Sequence, residues 1–238
     1  MNERITGGCV MREPTVSSLM TREVISADVE TSFKDLAQLL EEHGISAVPV
    51  LDGGFPVGVV SEADLLPKEE FRGGTTEAPG LFAGRDAKHR WEQASGLTAR
   101  DVMTSPVRSV APDASASAAA RELARTGVRR LFVMDRDGAL VGVLSRRDLL
   151  KLYLREDDEL RTTIREEIFG RTLWADPDTI DIEVADGVVT LQGRLERQSE
   201  IDIADHLVRS LPGVVDLQNR LRPAWNDTNP PRQTEIFG

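Results

Sequence analysis

Pro-Val-Gly-Val-Val-Ser-Glu-Ala-Asp-Leu-Leu, residues 56–66, returns 84 positions later as Leu-Val-Gly-Val-Leu-Ser-Arg-Arg-Asp-Leu-Leu, residues 140–150. Upstream, Met20-Thr21 aligns with Met103-Thr104, and Gly44-Ile45 with Gly127-Val128, both at an offset of 83. The extra residue of the second copy falls between Asp135 and Gly142, against Asp52 and Gly58 in the first. Gly53-Gly54 and Asp137-Gly138 mark hairpin turns at those places. A turn tip accepts an insertion. A strand interior does not, because a one-residue slip sends every side chain to the opposite face. The first 150 residues are therefore an internal duplication.

Each copy reads β-α-β-β-α. Val24-Ile25 is a short strand in the first. Ser32 caps a helix carrying Phe33, Leu36, Ala37, Leu39 and Leu40 at helical spacing, with Gly44 at its C-terminal end, as Gly127 is in the second copy. Ala47–Leu51 and Val57–Val60 are β-branched runs, and Glu62–Leu66 opens a second helix. Between the copies, Phe71–Gly80 reads as loop and Arg85–Gln93 as a short helix.

The C-terminal segment is a separate α-β-β-α-β unit with an expected antiparallel sheet. Leu160, Ile164, Ile168 and Phe169 give an amphipathic helix. Ile180–Val184 and Val188–Leu191 flank the turn Ala185-Asp186-Gly187, and Gly193 follows the second strand. Glu200–Leu211 presents Ile201, Ala204, Leu207, Val208 and Leu211 on one face, and Val214–Leu221 is the last strand. The expected boundaries are a disordered leader at 1–13, repeats at 14–70 and 97–154, a linker at 71–96, the last domain at 157–224 and a disordered tail at 225–238. The tail holds Pro230-Pro231, with Trp225 and Phe237 at its ends.

A net charge of −11 argues against general nucleic-acid binding, which needs Lys and Arg to displace counterions from phosphate. It equally disfavours attachment to anionic lipid. The single cysteine, Cys9, permits no internal disulfide. With no long apolar window and no apolar signal core, the expected location is the cytoplasm. His43, His89 and His206 lack ligand spacing, and no nucleophile elbow or P-loop is present. The expectation is a protein that is not an enzyme and requires no metal or cofactor.

The Met-Thr starts, the Gly-Ile/Val turns and the Gly-apolar-apolar-Ser-x-x-Asp motifs resemble the CBS-domain family, over about residues 16–150. The resemblance implies a fold of tandem CBS repeats, a Bateman module, whose clefts bind AMP, ADP, ATP or S-adenosylmethionine in some members and other ligands or nothing in others. It also implies a homodimer through paired modules. Residues 186–193 (Asp-Gly-Val-Val-Thr-Leu-Gln-Gly) and 211–221 (Leu-Pro-Gly-Val-Val-Asp-Leu-Gln-Asn-Arg-Leu) resemble the BON domain, a module suspected of lipid or envelope attachment. Residues 159–223 hold 8 Lys/Arg and 13 Asp/Glu, a net of −5. That charge favours a protein partner over a membrane. The whole is an α+β chain.

On this reading the first pocket draws on Thr21, Val24, Ile25, Ala47, Val48, Pro49, Ser61 and Asp64. The second draws on Thr104, Val107, Arg130, Leu131, Ser145 and Asp148. Ser61-x-x-Asp64 and Ser145-x-x-Asp148 stand where strand becomes helix. Two readings apply to them. Either they are capping boxes that satisfy free helical N–H groups, or the same corner binds a phosphate at the helix start while the Asp accepts from ribose hydroxyls. Arg130 occupies the position of Ala47, so the second pocket is the one expected to prefer a phosphorylated nucleotide. Alternatively, Arg129 and Arg130 are solvated or meet a second copy. The leading expectation is a ligand-gated regulator. The competing one is an interaction or phospholipid-tethering protein whose repeats bind nothing.

Overall fold

The computed structural model describes residues 13–72, 84–176 and 179–228. The leader through Arg12 with Cys9, most of the expected Phe71–Gly80 loop, and the tail from residue 229 with Phe237 lie outside the described residues. The chain divides into two compact units, Thr15–Leu149 and the remainder.

In the first unit each repeat builds a three-stranded sheet. The first contains α1 (Val16–Leu19), β1 (Ala27–Asp28), α2 (Phe33–Glu42), β2 (Ala47–Asp52), β3 (Phe55–Ser61), α3 (Glu62–Leu65) and α4 (Pro67–Glu70). The linker carries α5 (Arg85–Ser95), and the second repeat contains α6 (Ala99–Val102), β4 (Ser109–Val110), α7 (Ala116–Thr126), β5 (Arg130–Met134), β6 (Leu140–Ser145) and α8 (Arg146–Leu150). Sheet orders are β1-β2-β3 and β4-β5-β6, with the lead strand parallel and the hairpin antiparallel in both. Ser32 and Ser115 cap their helices by accepting from Asp35 N–H and Ala118 N–H at 3.2 Å each.

The short strand expected at Val24-Ile25 lies three residues further on. Pairing sets its place: Ala27 and Asp28 meet Val50 and Leu51, the far end of β2. The β-branched pair Val24-Ile25 lies before them outside any strand, with Ile25 against the first core.

The repeats exchange their lead segments. Val16 of α1 is buried in the second repeat's core, among Ala119, Leu123, Leu131, Val133 and Leu144. Ala99 and Val102 of α6 are buried in the first repeat's core, with Leu36, Val48, Val50 and Val60. The Met-Thr dipeptides follow. Thr21 exchanges two backbone hydrogen bonds with Val143, both 2.9 Å, and Thr104 exchanges two with Val59, at 2.8 and 3.0 Å. This explains the motif glycines. A Cβ on Gly58 would stand 2.3 Å from Met103 Sδ, and one on Gly142 would stand 2.5 Å from Met20 Sδ and 3.0 Å from the Thr21 carbonyl. Only a residue without a side chain lets the exchanged segment lie this close.

The second unit holds α9 (Asp157–Thr163), which continues as a π-helix through Ile164–Thr172, then β7 (Ile180–Ala185), β8 (Val188–Arg197), α10 (Gln198–Arg209) and β9 (Asp216–Trp225). The α-β-β-α-β order is as expected, but the sheet is mixed. β7 and β8 are antiparallel, whereas β8 and β9 are parallel. The cause is α10, which carries the chain back along the sheet so that β9 starts where β8 started. β8 also runs beyond Gly193, paired to β9 as far as Arg197 with Trp225. At Gly193 φ is +139° and a Cβ would lie 2.5 Å from the Thr179 carbonyl, so glycine lets the strand pass the start of β7. Leu160, Ile164, Ile168 and Phe169 are all fully buried against Ile182, Leu191, Ile201 and Val208.

Candidate functional site

The exchange decides which residues share a site. A cleft of about 690 Å³ opens in the first unit, and its walls come from both repeats. The first supplies Ser46, Ala47, Val59, Ser61, Glu62 and Asp64; the second supplies Thr104, Pro106, Arg108, Val128, Arg129, Arg130 and Phe132. Five of the residues expected from sequence therefore come together: Ala47, Ser61, Asp64, Thr104 and Arg130.

The sorting into two pockets is corrected. Thr104 belongs with Asp64: its hydroxyl donates to Asp64 Oδ1 at 2.9 Å. Thr21 belongs with the Ser145–Asp148 corner, through its bridge to Val143. Arg130 also lies in the Asp64 cleft, where its guanidinium donates to the Ala47 carbonyl at 3.3 Å and the Ser46 hydroxyl at 3.1 Å. The cationic character expected of the second pocket thus resides in the first. Val48 and Leu131 are fully buried in the two cores and do not line the cleft. Pro49, Val24, Ile25 and Val107 do not line it either.

Asp64 is densely hydrogen-bonded. Its Oδ2 accepts from the Ser61 N–H at 2.8 Å and the Ser61 hydroxyl at 2.5 Å, and its Oδ1 from Thr104 and from the Gln93 amide at 2.9 Å. Asp148 repeats the serine half of this pattern, at 2.9 Å from the Ser145 N–H and 2.6 Å from its hydroxyl, and is only 7% exposed. The same arrangement also occurs away from the cleft, where Asp101 accepts from the Thr98 N–H at 3.0 Å and its hydroxyl at 3.1 Å. The motif by itself is therefore a capping device. What sets Asp64 apart is the cleft it faces.

The helices behind these corners are short. α3 has four residues and α8 five, so their aligned peptide dipoles are small. The cationic groups of the cleft are instead Arg108, Arg129 and Arg130, which line it together with the carboxylates of Glu62 and Asp64, and none of the three arginines forms a salt bridge among the described residues. Val59, Pro106, Val128 and Phe132 supply apolar wall. Sequence reading missed Arg108, Arg129 as a wall residue, Phe132 and Gln93. The first two stand next to expected positions, but Gln93 carries no motif signal. Among the described residues no cluster of three or more His, Cys, Asp or Glu could hold a metal. No helix among them is long and apolar enough to cross a membrane.

The CBS domain family profile matches residues 16–68 and 99–155, and the BON domain profile matches residues 156–223. An uncharacterized protein of Methanopyrus kandleri is 27% identical over 159 residues, covering 66% of this chain and 70% of its own length. The chloroplastic CBS domain-containing protein CBSX2 of Arabidopsis thaliana is 32% identical over 136 residues, covering 52% of this chain and 56% of its own. The chain thus spans little more than half the length of that relative. The structure of CBSX2 in complex with AMP superimposes at 30% identity with a TM-score of 0.47, over 59% of this chain and 96% of that one. By the two family profiles, and by the duplicated motif that builds its first unit, the chain carries two CBS domains followed by a BON domain.

Proposed function

We propose that the Asp64 cleft binds an adenosine nucleotide and that the protein is a non-enzymatic regulator. One observation carries this reading: a single cavity unites an acceptor carboxylate, three arginines and an apolar wall. A nucleotide needs these three things, since its ribose donates hydrogen bonds, its phosphate seeks cations and its base seeks apolar surface. Asp64 takes the ribose hydroxyls. Arg108, Arg129 and Arg130 take phosphate. Val59, Pro106, Val128 and Phe132 take the base. AMP, ADP, ATP and S-adenosylmethionine are the candidate ligands, and the arginines favour the phosphorylated ones. The Ser145–Asp148 corner with Thr21 is the place for a second ligand. Binding shifts a conformational equilibrium only by its differential affinity for two states. The output runs through a homodimer of CBS modules or through the BON domain, whose net charge of −5 over residues 159–223 suits a protein partner better than anionic lipid. The proposed location is the cytoplasm.

The Thr98–Asp101 box favours a second reading, in which all three boxes only cap helices and the chain is a scaffold. Calorimetry of the full chain with AMP, ADP, ATP, S-adenosylmethionine and adenosine separates the two, after removal of any carried-over nucleotide. Saturable binding of a phosphorylated compound supports the sensor. No heat and no rise in melting temperature up to millimolar ligand leaves the scaffold.

A further inference from the structure

The Gln93 amide nitrogen lies 2.9 Å from Asp64 Oδ1 and 2.7 Å from the Val102 carbonyl. Both neighbours are acceptors, so the amide orientation is fixed by chemistry: its nitrogen, and not its oxygen, must face them. Gln93 is 3% exposed and does not line the cleft, whereas Thr104, the other donor to Oδ1, is exposed and lines it. The carboxylate is therefore held from the protein side by a buried amide and touched on the cleft side by an exchangeable hydroxyl. An ionised carboxylate offers about four acceptor positions, and Asp64 uses four. An arriving ribose hydroxyl can take the place of Thr104, whose hydroxyl turns to water. Displacing Gln93 would strand a buried donor, which costs about tenfold or more in affinity. Gln93 sits on α5, in the segment between the repeats, and has no counterpart in the duplicated motif.

We propose that Gln93 is a positioning residue for ligand capture: it fixes the Asp64 carboxylate toward the cleft and so ties occupancy of the cleft to docking of the linker helix α5. The inference rests on the nucleotide reading above. Coupling of this kind is reciprocal, so a ligand on Asp64 also stabilises α5 in place. α5 is then the part of the chain, outside the repeats, that senses the ligand.

The test is a double-mutant cycle on the full chain with AMP as probe, read by calorimetry for wild type, Gln93→Leu, Asp64→Ala and the double variant. Leucine keeps much of the side-chain volume and removes both donors. Gln93→Leu weakens AMP binding about tenfold in the wild-type background and less than about twofold where Asp64 is already alanine. Equal losses in both backgrounds mean that Gln93 acts on the fold at large, and no loss in the first means that it does not act at all. Either overturns the proposal. Should Gln93→Leu fail to fold, amide hydrogen exchange of the wild type decides: AMP slows exchange across residues 86–95, and unchanged exchange under saturating AMP refutes the coupling. Wild type that binds no AMP removes the nucleotide reading and this inference together. Wild type that binds AMP, with Gln93→Leu unaffected, removes the inference alone.

Discussion

Replacing Arg130 with methionine keeps most of the aliphatic stem and deletes the charge. The guanidinium bridges the Ala47 carbonyl and the Ser46 hydroxyl, both in half-buried surroundings that water can reach, so the folded state loses little. The ligand loses more. A unit charge about 5 Å from a phosphate is worth about 0.8 kcal/mol at the dielectric of water and about 3 kcal/mol at an effective value near 20. A half-buried cleft lies between these limits, so the expected loss for AMP is about 1–2 kcal/mol, roughly five- to thirtyfold in Kd. Adenosine has no phosphate, and its affinity should change by less than about twofold. Raising the salt concentration should also weaken AMP binding more in wild type than in Arg130→Met, because screening removes what the variant already lacks. Calorimetry with adenosine and AMP at two ionic strengths reads all of this. Equal losses for the two ligands would refute the assignment of Arg130 to phosphate and return it to a structural role across the repeat interface.

The exchanged segments predict unequal tolerance at twin glycines. Gly142→Ala meets the Thr21 carbonyl, which cannot step aside, and should cost about 1–3 kcal/mol in denaturant titration. Gly58→Ala meets only the Met103 side chain within the same range and should cost less, so the reverse order would contradict the packing described. Asp101 is held below the ordinary carboxylate range by the Leu97 N–H first and the Thr98 N–H second. A lowered folded-state pKa contributes stability above the unfolded value and loses it as pH falls through the folded one. Wild type should therefore exceed Asp101→Asn in denaturant midpoint at neutral pH, with the gap narrowing as pH falls below the ordinary carboxylate value, and a gap that does not narrow in acid would count against this. The acidic BON segment predicts that the full chain stays in the supernatant when anionic vesicles are sedimented; pelleting at physiological salt would revive the tethering role.

The duplication was legible because a hydrophobic pattern, its turn residues and a single insertion all agreed. Ser32, Leu36 and Leu40 show it locally: a cap and a helical stripe need only neighbours in sequence. The exchange of α1 and α6 was not legible. Val16 and Ala99 look alike in either core, and nothing local says which hairpin Thr21 or Thr104 will meet. That ambiguity misplaced Thr21 and Thr104, and Arg130 was misplaced because its partners, Ala47 and Ser46, lie 83 and 84 positions away. The parallel pairing of β9 follows from the crossover of α10, which the element order contains but a strand-by-strand reading overlooks. Gln93 was invisible for another reason. It lies in a polar stretch, and its importance comes from burial beside Asp64, a contact spanning 29 positions.

Nucleotide binding in the Asp64 cleft is tested most directly by a crystal structure of the full chain grown with saturating AMP. It should show ribose hydroxyls within hydrogen-bonding distance of Asp64, with the phosphate facing Arg130. AMP bound elsewhere, or a cleft closed by the protein's own side chains, would contradict it.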